Sequence, residues 1–535
     1  MGVYIKDGCK LFDYQVQNVR AMVKSRRCLL VDSTGNGKSL CALWAFSFLL
    51  SKSLVKNLVI FVPRNGYVKE VWQKDCAKFL NSKFISLDDL LSAVKTGASL
   101  QGIMEKYPII VCKHTHCKTS YDALLSLYKA NDKILTVIDE VQACKNPRAE
   151  LTKSMRSLLK RSYGVWGLTA TPLSKNCMDT FNILNFIYPK VLGTVRDFQS
   201  RFCKINRKVI GKDTDGKLTY ANEIVDFKDI VDFQNYLKGI LIIGAASVSL
   251  QSHFVDFTLS DSEMSLYRRV ANGLSLRSSE SDDDQSWLKT VLTGSGLPVG
   301  LPTSIRSIKE LSRYSSRFIY LQSVVDGSLN ADGTFGVSIS SKSKRLLELC
   351  SEIASRGESA LIYCDYYTTV DNLLYILQHS GIKDHKGNPI RVAEQSSRNG
   401  FKSGVVSESL CKANSYFVLC TPGASESENY YYLNNVIMYD IPVTPKTYLQ
   451  MVGRITRRST LFPDNLHAWV FRSDTIDLYK LYLVGFKMYM QSAASPDIKN
   501  FPAEYIKPIT SADQLTIAKR HLLWCNRSKS VSTLF

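Results

Sequence analysis

Apolar positions in the first third of the chain fall into short β-branched runs separated by amphipathic ones. "CLLVD" (28–32), "NLVIFVP" (57–63), "YPIIVC" (107–112) and "ILTVIDE" (134–140) are continuous apolar runs ending in turn or polar residues. This is the pattern of strands buried on both faces of a parallel sheet. Between them, 38–50, 66–80 and 150–161 carry helical periodicity. Strand–helix alternation predicts a doubly wound α/β sheet, whose ligands bind at the carboxyl ends of the strands. The pattern weakens from about 200 to 340, where 275–287 and 293–304 are rich in Ser, Asp, Gly and Pro and read as exposed linkers. The triplet Asp282–Asp284 reads as a solvated loop rather than a metal site. Alternation returns after about 342. Helices are expected over 343–355 and 368–380, and strands at 359–364, 416–420, 435–440 and 467–471.

The expected architecture is α/β, with two tandem recombinase-like (P-loop) doubly wound parallel-sheet lobes and a mostly helical insertion or linker between them. Lobe one is expected over 1–203, the insertion and linker over 204–340, lobe two over 341–490 and a basic extension over 491–535.

A chain of 535 residues is too long for one core. Its 45% hydrophobic and 22% charged residues are those of a soluble globular protein. The net charge of +20 changes the picture more, because it favours a polyanionic partner, nucleic acid above all. The 14 Cys are scattered, without a CxxC pair, which suits free thiols in a reducing, intracellular setting better than disulfides. "CKHTHC" (112–117) has metal-capable side chains but no second ligand pair at zinc spacing. Neither a signal peptide nor a membrane-spanning run is read from the chain.

Candidate chemistry begins at "VDSTGNGKSL" (31–40). Gly35, Asn36 and Gly37 can curl backbone N–H groups around an anion. Lys38 can reach the outer phosphates, and the Ser39 hydroxyl can hold Mg²⁺. Asp32 stands where the first Gly of a phosphate loop is usual, and a plain strand-to-helix turn is the alternative for this stretch, with a nucleotide site favoured over it. "VIDEVQACKNP" (137–147) ends a strand in adjacent acids. Asp139 suits a Mg²⁺ ligand, and Glu140 suits the polarisation of water. Alone, the pair is a common strand end. "GLTATPLSKN" (167–176) can hydrogen-bond to the acidic motif through Thr169, Ala170 and Thr171, or be a polar turn. In "YLQMVGRITRRS" (448–459) a helix would set Arg454 and Arg457 on one face with Gln450 near it, and two Arg pointing together suit phosphates.

Taken in order, "FDYQ", the phosphate loop, "DEVQ", "TAT" and "QxxGRxxR" resemble superfamily 2 helicases and translocases, most of all the Swi/Snf-like branch. "LFDYQVQNVRAMV", "DEVQACKNP", 168–202 and the opening of the second α/β region carry the similarity, which covers most of 10–203 and 340–475. The resemblance implies an ATP hydrolase with ATP and Mg²⁺ as cofactors. It sets Gln15 on the adenine, with Lys38, Ser39, Asp139, Glu140 and Gln142 around the phosphates. Arg454 and Arg457 come onto the phosphates from lobe two, and Thr169–Thr171 act in coupling. It also implies tracking along nucleic acid, duplex DNA above all, through phosphate contacts. An RNA helicase is the alternative within the class, and a weakly or non-hydrolysing scaffold is the alternative outside it. A small-molecule kinase would leave the second lobe unexplained. The chain departs from the family at 425–429, where "SESEN" replaces a Gly-rich stretch, and at "LIIGAASVSL", where an Arg-rich segment is usual. The basic tail 518–530 reads either as a nucleic-acid contact or as plain surface. The lean architecture suits a virus or a mobile element.

Overall fold

The structure is a computed structural model, and it describes residues 5–63, 68, 72–171, 177–212, 218–245, 248–275, 318–330, 336–396, 398, 406–422, 430–457, 460–491, 498–507 and 517. The chain divides into two compact units, 1–247 with 487–499, and 248–486 with 500–535.

The first unit is a seven-stranded parallel sheet. Its strands are β1 (Arg27–Val31), β2 (Asn57–Val62), β3 (Phe84–Ser86), β4 (Ile109–Lys113), β5 (Ile134–Asp139) and β6 (Gly164–Thr169), followed after a separate hairpin by β9 (Ile242–Ile243). The order across the sheet is β3-β4-β2-β5-β6-β1-β9. Continuous apolar runs are needed because both faces are covered. Leu29, Val31, Val59 and Phe61 enter one core, while Cys28, Leu30, Leu58 and Ile60 enter the other. Parallel pairing of β1 with β6 and of β5 with β6 brings the ends of all three to one edge, where Val31 stands opposite Thr169 and Asp139 opposite Leu168. The helices α1 (Asp13–Lys24) and α2 (Lys38–Ser51) flank β1 in sequence.

The hairpin is β7 (Cys203–Lys212) with β8 (Leu218–Phe227), paired antiparallel from Cys203 opposite Phe227 outward. It adds a strand pair to a segment whose other described elements include the helices Ile230–Lys238, Asp261–Ser275 and Phe318–Val325. "KINRKVIGK" and "LTYANEIVDF" carry the β-branched and aromatic residues of strands, but lie in a stretch whose linker-like neighbours dominate its composition. The segment 204–340 is also divided, since β9 joins the first sheet and β10 (Gln251–Asp256) joins the second.

The second unit is a six-stranded parallel sheet of order β10-β15-β14-β11-β13-β12, with β11 (Ala360–Tyr363), β12 (Arg391–Gln395), β13 (Tyr416–Cys420), β14 (Asn435–Met438) and β15 (His467–Arg472). Helices Ser341–Ser355 and Tyr367–Gln378 bury their apolar stripes against it. Ser340 starts the first of these, its hydroxyl accepting from the Ser343 amide at 3.1 Å. The helix expected over 66–80 is described only as Lys74–Phe79, with Trp72 and Gln73 in a wider turn before it. Among the described residues, no helix is long and apolar enough to cross a membrane.

Candidate nucleotide site

The turn from β1 into α2 is built around backbone conformations that favour glycine. Gly35 and Gly37 both have φ near 84°, and Gly37 caps α2 in the left-handed region. A Cβ on Gly37 would stand 2.6 Å from Gln15 Nε2, so any other residue there would displace the Gln15 amide as well as strain the backbone. The loop leads directly into the N-terminus of a 14-residue helix, whose unsatisfied amides and dipole favour an anion. Lys38 Nζ donates to the Asp32 and Ser33 carbonyls at 2.8 and 2.9 Å, which holds the ammonium over the loop. Ser39 follows in the first turn of α2.

Gln15 is buried beside this loop. Its Oε1 accepts from the Phe12 amide at 3.0 Å, capping α1, and its Nε2 donates to the Asn36 carbonyl at 2.9 Å. The Tyr14 hydroxyl donates to the same carbonyl at 2.9 Å. The sequence motif names neither Asp32 nor Asn18 as a contributor, yet both brace the loop. The fully buried Asp32 carboxylate accepts from Asn18 Nδ2 at 3.2 Å, the Ser33 amide at 2.7 Å and Asn36 Nδ2 at 2.8 Å. A signal for Asn18 existed in its place one turn after Gln15, on the same helix face.

Asp139 is the last residue of β5. Its carboxylate accepts from Trp72 Nε1 at 3.0 Å and from the Glu140 amide at 3.0 Å. Burial, and then the Glu140 charge, push its pKa up to about 6. Glu140 itself has φ 51°, a left-handed conformation that costs a non-glycine residue energy and recurs at functional sites. The Gln142 amide donates to Glu140, and Gln142 Oε1 accepts from the Thr169 hydroxyl at 2.8 Å. Thr169 Oγ1 in turn accepts from the Thr171 amide at 3.0 Å, and Ala170 is buried between the two threonines. Trp72 was invisible to motif reading, because nothing in its own stretch marks it as a partner of Asp139.

Gln450, Arg454 and Arg457 belong to the second unit. The helix there is Pro445–Val452 and carries only Gln450, so the single-helix reading is corrected. Gly453 ends the helix, and bonds then run back three residues, Arg454 to Met451 at 3.0 Å and Ile455 to Val452 at 3.1 Å. A glycine followed by β-branched Ile455 and Thr456 is poor helix continuation. The Thr456 hydroxyl also takes the Val452 carbonyl at 3.2 Å, and the Tyr430 amide takes the Arg454 carbonyl at 3.1 Å. Arg454 is buried and Arg457 half-buried.

The loop 425–429, Asp282–Asp284 and the basic tail 518–530 lie outside the described residues. In "CKHTHC", His116 accepts from the Lys113 amide at 3.2 Å and faces Asp88 at 3.2 Å, while Cys112 and Cys117 are buried thiols.

The fold and these loops define a two-lobed P-loop ATPase. Residues 14–224 match the SNF2-related domain, and 341–459 match the helicase conserved C-terminal domain. The chain belongs to the Swi/Snf-like branch of the superfamily 2 helicases and translocases, and is an ATP hydrolase. It is 25% identical over 451 residues to the "Uncharacterized ATP-dependent helicase YqhH" of Bacillus subtilis (strain 168), covering 81% of this chain and 70% of that one. It is 22% identical over 376 residues to the "DNA repair and recombination protein RAD54-like" of Drosophila persimilis, covering 65% and 46%. The fission yeast TATA-binding protein-associated factor mot1 is 26% identical over 219 residues, which span 40% of this chain and 11% of that protein. Among solved structures, the Sulfolobus solfataricus SWI2/SNF2 ATPase core in complex with dsDNA is similar at 17% identity and a TM-score of 0.35, covering 94% and 97%.

Proposed function

We propose that this enzyme is an ATP-driven motor that tracks along duplex DNA and remodels DNA or protein–DNA complexes. The observation that carries the reading is the meeting, at one edge of the first sheet, of an anion-cradling loop, a buried acidic pair and a threonine relay. Such a site supports phosphoryl transfer to water linked to motion of a neighbouring segment. The excess of basic residues, 68 Lys and Arg against 48 Asp and Glu, supports a polyanionic track.

In this reading the loop amides of Gly35–Gly37 and Lys38 bind the phosphates, and Gln15 orients the base. The donor set also fits Mg²⁺. Asp139 is a buried carboxylate whose ionisation is opposed by burial and by Glu140, so a divalent cation between it and the Ser39 hydroxyl would relieve both. When bound, that cation would neutralise charge on the phosphates. Glu140, held by Gln142, polarises the attacking water. Arg454 and Arg457 supply positive charge to the transferring phosphoryl group, as two guanidinium groups suit.

The test is the steady-state ATPase rate without nucleic acid and with duplex DNA, single-stranded DNA or structured RNA, with Lys38→Ala as control. Strong stimulation by duplex DNA is expected, with affinity falling steeply as salt rises. Stimulation by RNA alone would reassign the track, and an unchanged rate in Lys38→Ala would remove the loop from the chemistry.

A further inference from the structure

The phosphate loop has a neighbour outside every motif. After β9, the Gly244 amide donates to the Val31 carbonyl at 2.7 Å. The next carbonyl, that of Ala245, accepts from two loop side chains, Ser33 Oγ at 3.0 Å and Asn36 Nδ2 at 2.6 Å. The second hydrogen of the same Asn36 amide goes to Asp32 Oδ1 at 2.8 Å. Gly244 lies so close to the Asp32 carboxylate that a Cβ built on it would be 2.1 Å from Cγ. The chain thus crosses the loop with bare backbone at a point where no side chain fits.

The orientation of Asn36 is set by these partners. Turning the amide over would point its oxygen at the Asp32 carboxylate and the Ala245 carbonyl, two acceptors. As placed, Asn36 is 1% exposed, and its Oδ1 has no hydrogen-bond partner among the described residues. The side chain is therefore held from its amide nitrogen, while its main-chain carbonyl holds Tyr14 and Gln15.

We propose that Gly244 and Ala245 are positioning residues for ATP. They form a backbone clasp that fixes the shape of the phosphate loop through Asn36 and Ser33, with Asp32 as its counter-anchor. The inference rests on the reading of this loop as the ATP site. Three residues beyond Ala245, at Val248, the chain enters its second compact unit. The clasp is therefore the last described hold of the first unit on the connector, and it ties that connector to the loop that grips phosphate.

Gly244→Ala in the full chain forces the clasp off Asp32. ATP affinity, read by titration calorimetry, is expected to weaken roughly tenfold, the size of two lost hydrogen bonds. At saturating ATP, kcat should fall far less than KM rises. Asn36→Ala should weaken ATP binding as well, and adding Gly244→Ala to it should cost clearly less than the sum of the two single losses, because both act on the Asn36–Ala245 bond and only the Ser33 bond remains to be lost. Ser33→Ala and Asn36→Ala remove the donors without adding bulk, so they carry the test if Gly244→Ala does not fold. ATP affinity unchanged in these variants, or fully additive losses, would overturn the clasp. Lys38→Ala separates the two readings. Undiminished ATP binding there removes the site itself, whereas its loss beside an unaffected Gly244→Ala removes only the clasp.

Discussion

Thr169 donates its hydroxyl hydrogen to the side-chain oxygen of Gln142 at 2.8 Å, which joins the end of β6 to the acidic loop after β5. Gln142 passes the connection to Glu140 through its amide, and Thr169 receives the Thr171 amide at 3.0 Å. A shift of the Thr171 segment therefore reaches Glu140 through two side chains. Thr169→Val keeps the shape and removes the donor, leaving buried Gln142 Oε1 without that hydrogen. Hydrolysis should fall about tenfold or more with ATP affinity nearly intact, since an interaction that orients a reacting group acts in the transition state. Gln142→Ala should cost a similar amount, and the double variant should cost less than the sum. Simple additivity in single-turnover rates would separate the two motifs.

Arg457 is the cleaner of the two arginine tests. Arg454 is buried, so truncating its side chain disturbs packing as well as charge. Arg457→Ala should slow hydrolysis by about a hundredfold or more while ATP binding changes little, as for a cation that acts on transition-state charge. A loss confined to ATP binding, measured by calorimetry beside the single-turnover rate, would give that arginine a binding role instead.

The pH response follows from Asp139. Its pKa, raised from 3.8 to about 6 by burial and by Glu140, means that the folded state keeps a proton that the unfolded chain has already released. Stability therefore falls as pH rises from about 4 to about 6, and this loss is complete above that window. Hydrolysis needs the Asp139 carboxylate, and a bound divalent cation would favour that form, so at about pH 6 added Mg²⁺ should raise the rate and offset this loss of stability. Asp139→Asn should abolish turnover and yet raise the melting temperature at pH 7 without added metal. A lower melting temperature in that variant would show that the ionised group is stabilised by its neighbours rather than strained by them.

Much of the fold was legible because buried parallel strands leave long apolar runs. β1, β2, β4, β5, β11, β13, β14 and β15 all begin and end within a few residues of those runs. The strands that were missed have local reasons. β3 and β9 are three and two residues long, too short to show a period. β12, "RVAEQ", is only partly buried and looks polar. β6 contains Gly164 and Gly167, which weaken a strand signal. At Gly167 a Cβ would press on the Leu29 and Ile187 side chains at 3.0 and 3.1 Å, so a larger residue needs both to shift. At the site, the residues carrying chemistry were readable from spacing within each loop. The residues bracing them, Asn18, Trp72 and Gly244–Ala245, come from distant segments, and no single stretch announces a partner that only folding supplies.

A buried ion cluster in the second unit makes the last prediction. Lys342, in the helix that opens the second α/β region, is fully buried and faces Asp326 at 3.1 Å, Asp440 at 3.2 Å and Asp477 at 3.2 Å. Lys480, also fully buried, meets Asp365 at 2.8 Å and Gln322 Oε1 at 2.8 Å. The acids outnumber the ammonium groups, and burial pushes Asp440 up to about 7 and raises Asp326 and Asp477. Removing one lysine strands carboxylates that have no route to water, so Lys342→Met should destabilise this unit by about 3–5 kcal/mol. The penalty must depend on pH in a fixed direction. Without the lysine the carboxylates are harder still to ionise, so the variant holds more protons than the wild type, and lowering the pH from 8 to 5 stabilises it more. The gap between Lys342→Met and wild type in urea unfolding should therefore narrow as pH falls. A gap that is constant or widens on acidification would mean that the carboxylates are already protonated beside Lys342 and that the cluster is held by hydrogen bonds rather than by ion pairing.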